Sequence, residues 1–278
     1  MAILQVTFLS ECLGRTVPLT VILPTDKMSM PGQTRIKRTE PFKTLYLLHG
    51  IVGSHGDWLY GTRIQRWAEE RNLAVVMPSG DNMMYLDNPV DKYGEYIGRE
   101  LVEFTRSSFP LSHKREDTFI GGLSMGGFGA LRNGLKYHET FGAIVALSAA
   151  LVVDEKLLIP VEHPIFPSDR EDYRRWVYGK DLQKTLVSDV NPSWQIGELV
   201  RQGIQLPAIY MAVGQEDFLL ENNRRFHGLL EELKVPHEYV EDPGAHEWDF
   251  WDSHIKAALD WLPLEQASAG RSSGNVKE

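Results

Sequence analysis

The chain has 278 residues, 42% of them hydrophobic and 24% charged, with a formal net charge of −9. That profile fits one large α/β domain with a sizeable core, and its acidity argues against nucleic acid or an anionic membrane as the main partner. A single cysteine, Cys12, excludes an internal disulfide and a cysteine-rich metal cluster.

Met1 to Leu9 lacks a basic region and a long apolar run, so no signal peptide is expected. No run reaches the apolar length of a membrane span, and a soluble cytoplasmic protein is the expectation. Leu4 to Leu9 and Arg15 to Leu23 are β-rich runs around Ser10-Glu11-Cys12-Leu13-Gly14, an opening hairpin. Cys12, in this strand-like stretch, reads as a buried inert thiol. Thr25 to Pro41, rich in Pro, Gly, Lys and Arg, reads as an exposed loop. Lys43 to Leu48 is a buried strand ending at His49-Gly50, Thr62 to Arg71 a helix, and Leu73 to Met77 a second short strand. Tyr93 to Ser108 has helical spacing; Phe141 to Leu147 is a strand. Ala149 to Gln205 shows no strong sheet signal and is expected to be an insertion over the site, not a second domain. Ala208 to Val213 is a strand, Leu219 to Leu233 a helix, His237 to Val240 a short strand and Trp248 to Trp261 a final helix. Residues 1–263 then form one domain, and the polar Leu264 to Glu278 is a disordered tail. Strands alternating with helices predict a mostly parallel central sheet covered on both faces, with the hairpin as an antiparallel edge.

The most informative stretch is Gly122-Leu123-Ser124-Met125-Gly126, a G-x-S-x-G between the apolar run Asp117 to Gly121 and the helical pattern Phe128 to Tyr137. That is the context of a nucleophile elbow, with the serine hydroxyl raised above the sheet edge on a strained turn. Glycine stands two residues either side because a larger side chain would meet the neighbouring strand and helix. A serine hydroxyl is a poor nucleophile at neutral pH and needs a base and an acid that orients the base. The expected order is serine, acid, histidine, each past the end of a strand. Ala208 to Val213 runs into Gly214-Gln215-Glu216-Asp217, and His237 to Val240 runs into Asp242-Pro243-Gly244-Ala245-His246. The selected set is Ser124, Asp217 and His246. Glu216 and Glu221 compete for the acid; His237, in a strand pattern, and His227 and His254, on helix patterns, compete for the base.

Acyl transfer also requires backbone N–H donors for the developing oxyanion. Met125, after the nucleophile and at the positive end of its helix, supplies one; Ile51, after His49-Gly50, is the candidate for the second. His49 with His55 and Asp57 matches no compact metal-ligand spacing, so no metal is expected. The aromatics Trp58, Tyr85, Trp176, Phe218 and Trp248 are candidates to line the acyl or alcohol pocket, against the plainer reading as packing; Trp251 and Trp261 read as core.

Leu47-Leu48-His49-Gly50 with Gly53 and Trp58, G-L-S-M-G-G-F-G-A-L (Gly122 to Leu131), G-Q-E-D-F-L (Gly214 to Leu219) with Asn222 and Phe226, and G-A-H-E-W-D-F-W (Gly244 to Trp251) together resemble the esterase D branch of the α/β-hydrolases. Within it they are similar to the bacterial tributyrin esterases, over residues 1–263. The resemblance implies the α/β-hydrolase fold, no cofactor, a small-molecule short-chain acyl ester as substrate, and the triad and donors already chosen. It leaves self-association into a homo-oligomer open. S-formylglutathione hydrolases share the branch but carry a Thr-Cys pair just after the oxyanion-loop glycine, where this chain has Ile51-Val52-Gly53. Feruloyl and acetyl-xylan esterases also use the scaffold. A binding-only protein on this fold would usually have lost a triad member or an oxyanion glycine; this chain keeps all of them.

Overall fold

β1 (Ala2–Ser10) alternates exposed and half-buried residues, as an edge strand does, while β2 (Arg15–Leu23) is buried from Leu19 onward. They pair antiparallel from Ala2↔Leu23 to Ser10↔Arg15, which is the predicted hairpin. β3 (Thr44–Leu48), β4 (Ala74–Pro78), β5 (Thr118–Leu123) and β6 (Ala143–Leu147) are buried on both faces, so their sequences read as unbroken apolar runs. With β7 (Ala208–Gly214) and β8 (His237–Asp242) they complete an eight-stranded sheet in the order β1-β2-β4-β3-β5-β6-β7-β8. β2 is antiparallel to both of its neighbours, and the strands from β4 to β8 are parallel. This is the predicted α/β-hydrolase sheet. The computed structural model describes residues 1–25, 40–163 and 169–264, so most of the proposed loop Thr25 to Pro41 and the tail beyond Leu264 lie outside the described residues.

Strand periodicity divides the interior into two layers. Tyr46, Leu48, Val76, Ile120 and Ile144 face a core shared with α4 (Leu101–Ser108), α5 (Met125–Lys136), α8 (Pro192–Arg201) and α9 (Leu220–Glu232). Leu45, Leu47, Val75, Phe119 and Val145 face a second core with α1 (Asp57–Gly61), α2 (Ile64–Glu69) and α10 (Trp248–Trp261). No helix among the described residues is long and apolar enough to cross a membrane.

The helix predicted over Thr62 to Arg71 is α2, two residues shorter at each end, and a break at the extended Thr62 separates it from the short helix α1, which the spacing does not reveal. The break coincides with Gly61 lying flat against the Trp248 ring, where an added Cβ would come within 2.4 Å. Tyr93 to Ser108 is continuous, but between α3 (Tyr93–Glu95) and α4 it widens into a π turn, Tyr96–Glu100. That turn sends Glu100 to Ser10 Oγ and the Glu11 N–H, both at 2.5 Å, tying the helix to the hairpin. Cys12 beside it is half-buried, and burial with the nearby Glu100 pushes its thiol up to about 12, leaving it unreactive.

Where described, Ala149 to Gln205 contains helices and no strand, with α6 (Glu171–Val177) and α7 (Leu182–Leu186) preceding α8. It is held to the rest of the chain by polar contacts: Tyr173 donates to the Asn82 carbonyl at 2.5 Å, and the buried Arg132 of α5 reaches the Asp189 carbonyl and carboxylate at 3.1 and 3.2 Å.

Candidate active site

The parallel strands end almost level. Leu48 lies beside Gly122, Leu123 beside Leu147, Leu147 beside Ala212, and Gly214 beside Asp242. One edge therefore carries the chain segments that follow β3, β5, β6, β7 and β8, the position where α/β sheets bind ligands. On β5 the turn is abrupt: Ser124 has φ +54° and ψ −117° and is followed at once by α5. Its N–H donates to Leu147 at 2.9 Å, and its carbonyl accepts from Phe128 and Ala150, both at 3.0 Å. These bonds hold a strained conformation that a free serine avoids.

The flanking glycines are required by space. A Cβ on Gly122 would sit 2.4 Å from the Gly126 carbonyl oxygen, and one on Gly126 would sit 2.3 Å from the Leu48 oxygen. Both obstacles are backbone and cannot swing aside. Gly126→Ala is accordingly expected to destabilise the fold by about 3 kcal/mol. Urea unfolding measures this, and a midpoint equal to that of the unmodified chain would contradict the packing account.

Asp217 follows β7 and is buried. Its Oδ1 accepts from the Leu219 N–H at 2.8 Å, and its Oδ2 accepts from His246 Nδ1 at 2.9 Å. Burial opposes its charge, but hydrogen bonds from His246, Leu219 and Ser148 outweigh burial and hold the carboxyl below its ordinary range. The acid and histidine loops are joined to each other: Gln215 N–H donates to Asp242 at 2.9 Å, Glu216 N–H to Gly244 at 3.0 Å, and Gly244 N–H to Glu216 Oε2 at 2.6 Å.

The competing residues are occupied elsewhere. Glu216 clamps the histidine loop, and Glu221 pairs with Arg224 at 2.7 Å. His227 and His237 bond each other at 2.7 Å, and His254 bonds Asp242 at 3.0 Å. Asp217 and His246 are the carboxylate and the imidazole that meet on this edge. No hydrogen bond joins Ser124 Oγ to His246 among the described residues; contacts of this kind commonly tighten only with substrate bound.

The loop after β3 is built from below. His49 Nδ1 donates to the Gly50 carbonyl at 2.6 Å, while its Nε2 accepts from the Gly80 N–H at 2.9 Å. Burial keeps this ring neutral by lowering its pKa. Trp58 Nε1 donates to the Leu48 carbonyl at 2.8 Å and Tyr85 Oη to the His49 carbonyl at 3.0 Å. Val52, at φ +60°, donates its N–H to Asn82 at 2.7 Å. Between these anchors the Ile51 N–H is claimed by no acceptor among the described residues, nor is the Met125 N–H at the start of α5. Two available backbone donors on one edge suit an anion, the second with the helix dipole behind it.

The candidate pocket aromatics separate. Trp58 and Tyr85 are fully buried and support the loop from inside. Phe218 is 70% exposed with its ring centroid 4.6 Å from that of His246. Trp248 is half-buried and packs edge-on against Trp58 and Trp251. Trp176, on α6, is 47% exposed. Sequence reasoning missed two neighbours of the pair: Trp251, read as core, stands edge to face on His246 at 4.9 Å, and Ser148 bears on Asp217. A signal for Trp251 existed, because a helical side chain leans over the turn N-terminal to it, here the histidine loop.

The model of the Esterase family matches residues 10–262. An acetyl esterase of Caldicellulosiruptor saccharolyticus is 44% identical over 264 residues, covering 94% of this chain and 98% of that protein. The structure is similar to the fluorophosphonate-binding serine hydrolase F of Staphylococcus aureus, with TM-score 0.81, 32% identity and coverage of 94% and 98%. It is also similar to an S-formylglutathione hydrolase of Staphylococcus aureus, with TM-score 0.79, 30% identity and the same coverage.

Proposed function

This chain belongs to the Esterase family and is a serine esterase, a carboxylic ester hydrolase; on that premise we propose that it hydrolyses short-chain acyl esters, acetyl to butyryl, through Ser124, His246 and Asp217. The observation that carries the reading is the Asp217–His246 pair on the same sheet edge as a serine in a strained elbow. Because Asp217 accepts the proton on Nδ1, the Nε2 lone pair is left to act as base. His246 takes the Ser124 proton as the hydroxyl attacks the ester carbonyl, and the oxyanion is received by the Ile51 and Met125 N–H groups. The alcohol leaves with the proton from His246, and water repeats the sequence on the acyl-enzyme to release the acid. Phe218, exposed beside His246, is positioned to meet the ester, with Trp248 as a second pocket candidate.

The 44% identical relative named as an acetyl esterase supports a small acyl group, and the absence of cysteine after Gly50 favours oxygen esters over the S-formylglutathione thioester. The substrate is a small molecule, and the reading puts the enzyme in the cytoplasm. The test is kcat/KM for p-nitrophenyl acetate, butyrate and octanoate, methyl ferulate and S-formylglutathione under one set of conditions. Acetate and butyrate should lead octanoate by at least about tenfold, since a missing or surplus methylene in a fitted pocket is worth roughly 1–3 kcal/mol. A dominant thioester rate would move the enzyme to S-formylglutathione hydrolysis, and dominant ferulate turnover to a feruloyl esterase.

A further inference from the structure

β6 stands between the nucleophile strand and the acid strand, and the first residue past its end is Ser148. Ser148 is fully buried, its N–H donates to Ala212 of β7 at 2.7 Å, and its φ is +45°. A residue other than glycine stays in the left-handed region only where its surroundings impose it. From the opposite side Trp251, in the first turn of α10, donates its indole N–H to Ser148 Oγ at 3.1 Å.

The proton directions in this cluster are fixed by chemistry. An indole N–H only donates and a carboxylate only accepts. Ser148 Oγ therefore accepts from Trp251, which leaves its own hydrogen free for the Asp217 carboxylate, whose charged form Ser148 favours. We propose that Ser148 and Trp251 are positioning residues for the esterase reaction, forming a one-way chain from Trp251 Nε1–H through Ser148 Oγ–H to Asp217. With the Leu219 N–H on Oδ1, the chain sets the plane of the carboxylate so that Oδ2 meets His246 Nδ1. The Trp251 ring, edge to face with the imidazole, sets the plane of the base. Neither residue touches the reacting atoms; both act through the Asp217–His246 pair, so the inference rests on the proposed triad.

The experiment compares Ser148→Ala and Trp251→Phe with the unmodified enzyme, reading kcat, KM and the pH profile of kcat/KM on p-nitrophenyl acetate. Trp251→Phe keeps an aromatic ring on His246 and removes only the donor. Ser148→Ala should lose about tenfold in kcat, the worth of a hydrogen bond to a charged group, with KM within about twofold. The acid limb of its profile should move to higher pH, because a carboxylate deprived of a donor holds a proton more tightly. Trp251→Phe should show the same changes on a smaller scale. The other titratable groups on the adjoining elements stay in place: Glu216, Glu247, the Asp242–His254 pair, Glu221, Arg224 and Arg225 on α9, and Asp249 and Asp252 on α10.

Profiles and kcat that overlay those of the unmodified enzyme in both variants would overturn the proposal. Should Ser148→Ala not fold, Trp251→Phe decides alone by the same criteria. Ser124→Ala, run alongside, separates the two levels: if it is inactive while both variants behave as the parent, the chain is wrong and the triad stands. If Ser124→Ala retains activity, both fall.

Discussion

Replacing Ser124 by alanine is expected to lower kcat on p-nitrophenyl acetate by roughly a millionfold, leaving only the residue of catalysis that substrate binding and oxyanion donors supply. The expectation follows from the position of the side chain. Ser124 is the hydroxyl carried on the strained elbow, with the orphan donors of α5 behind it and the Asp217–His246 pair on the same edge. Alanine suits the surrounding space, since it removes one oxygen and no packing atom, so Tm should hardly change. A fluorophosphonate probe should label the parent at Ser124 and leave the variant unmodified, read as a mass shift on the intact protein. Turnover within tenfold of the parent, or undiminished labelling, would remove Ser124 from the mechanism.

Asp217→Asn should lower kcat by about 10⁴-fold while leaving the fold intact. The reason lies in which end of the amide faces the base. The Leu219 N–H, 2.8 Å from Oδ1, requires an acceptor there, so the amide oxygen must take that place. The NH₂ then occupies the Oδ2 position and confronts His246 Nδ1, which the carboxylate meets at 2.9 Å. To avoid two opposed donors the imidazole must carry its proton on Nε2, and a protonated Nε2 cannot accept from Ser124. Pre-steady-state burst kinetics with p-nitrophenyl acetate should show slowed acylation with KM little altered. A variant within tenfold of the parent would mean that the acid is another residue, and Glu216, one position away, would be the first to replace.

Most of this architecture was legible without coordinates, for identifiable reasons. The buried strands are apolar on both faces, so β3, β4, β5, β6 and β7 each stand out as a short apolar run bounded by turn residues. Legibility failed where a local pattern was overruled from a distance. The short α1 went unread, and it ends where Gly61 meets Trp248, residues that no window of helical periodicity compares. Trp58 and Tyr85 were credible pocket residues by type, yet their hydrogen bonds to Leu48 and His49 place them beneath the loop. Trp251 showed the converse: an apolar residue on a helix face reads as core, and only its neighbour, His246, gives it a further role.

The amino-acid order by itself determined the candidates, because a nucleophile elbow needs glycines at fixed offsets and because strand ends are marked by local turn chemistry. It placed Ser124, an acidic cluster and a histidine each past a strand, since each of those signals spans only a few residues. It also favoured Asp217 and His246 over their neighbours, but only the tertiary structure shows that these two side chains meet. Their meeting depends on the β7–β8 register, which sets Gly214 beside Asp242, and on the reciprocal bonds between Glu216 and Gly244, contacts made across 28 positions of chain. The Trp251–Ser148 bond spans 103 positions. Contacts at such separation arise only when the whole sheet closes, and no local pattern of residues encodes them.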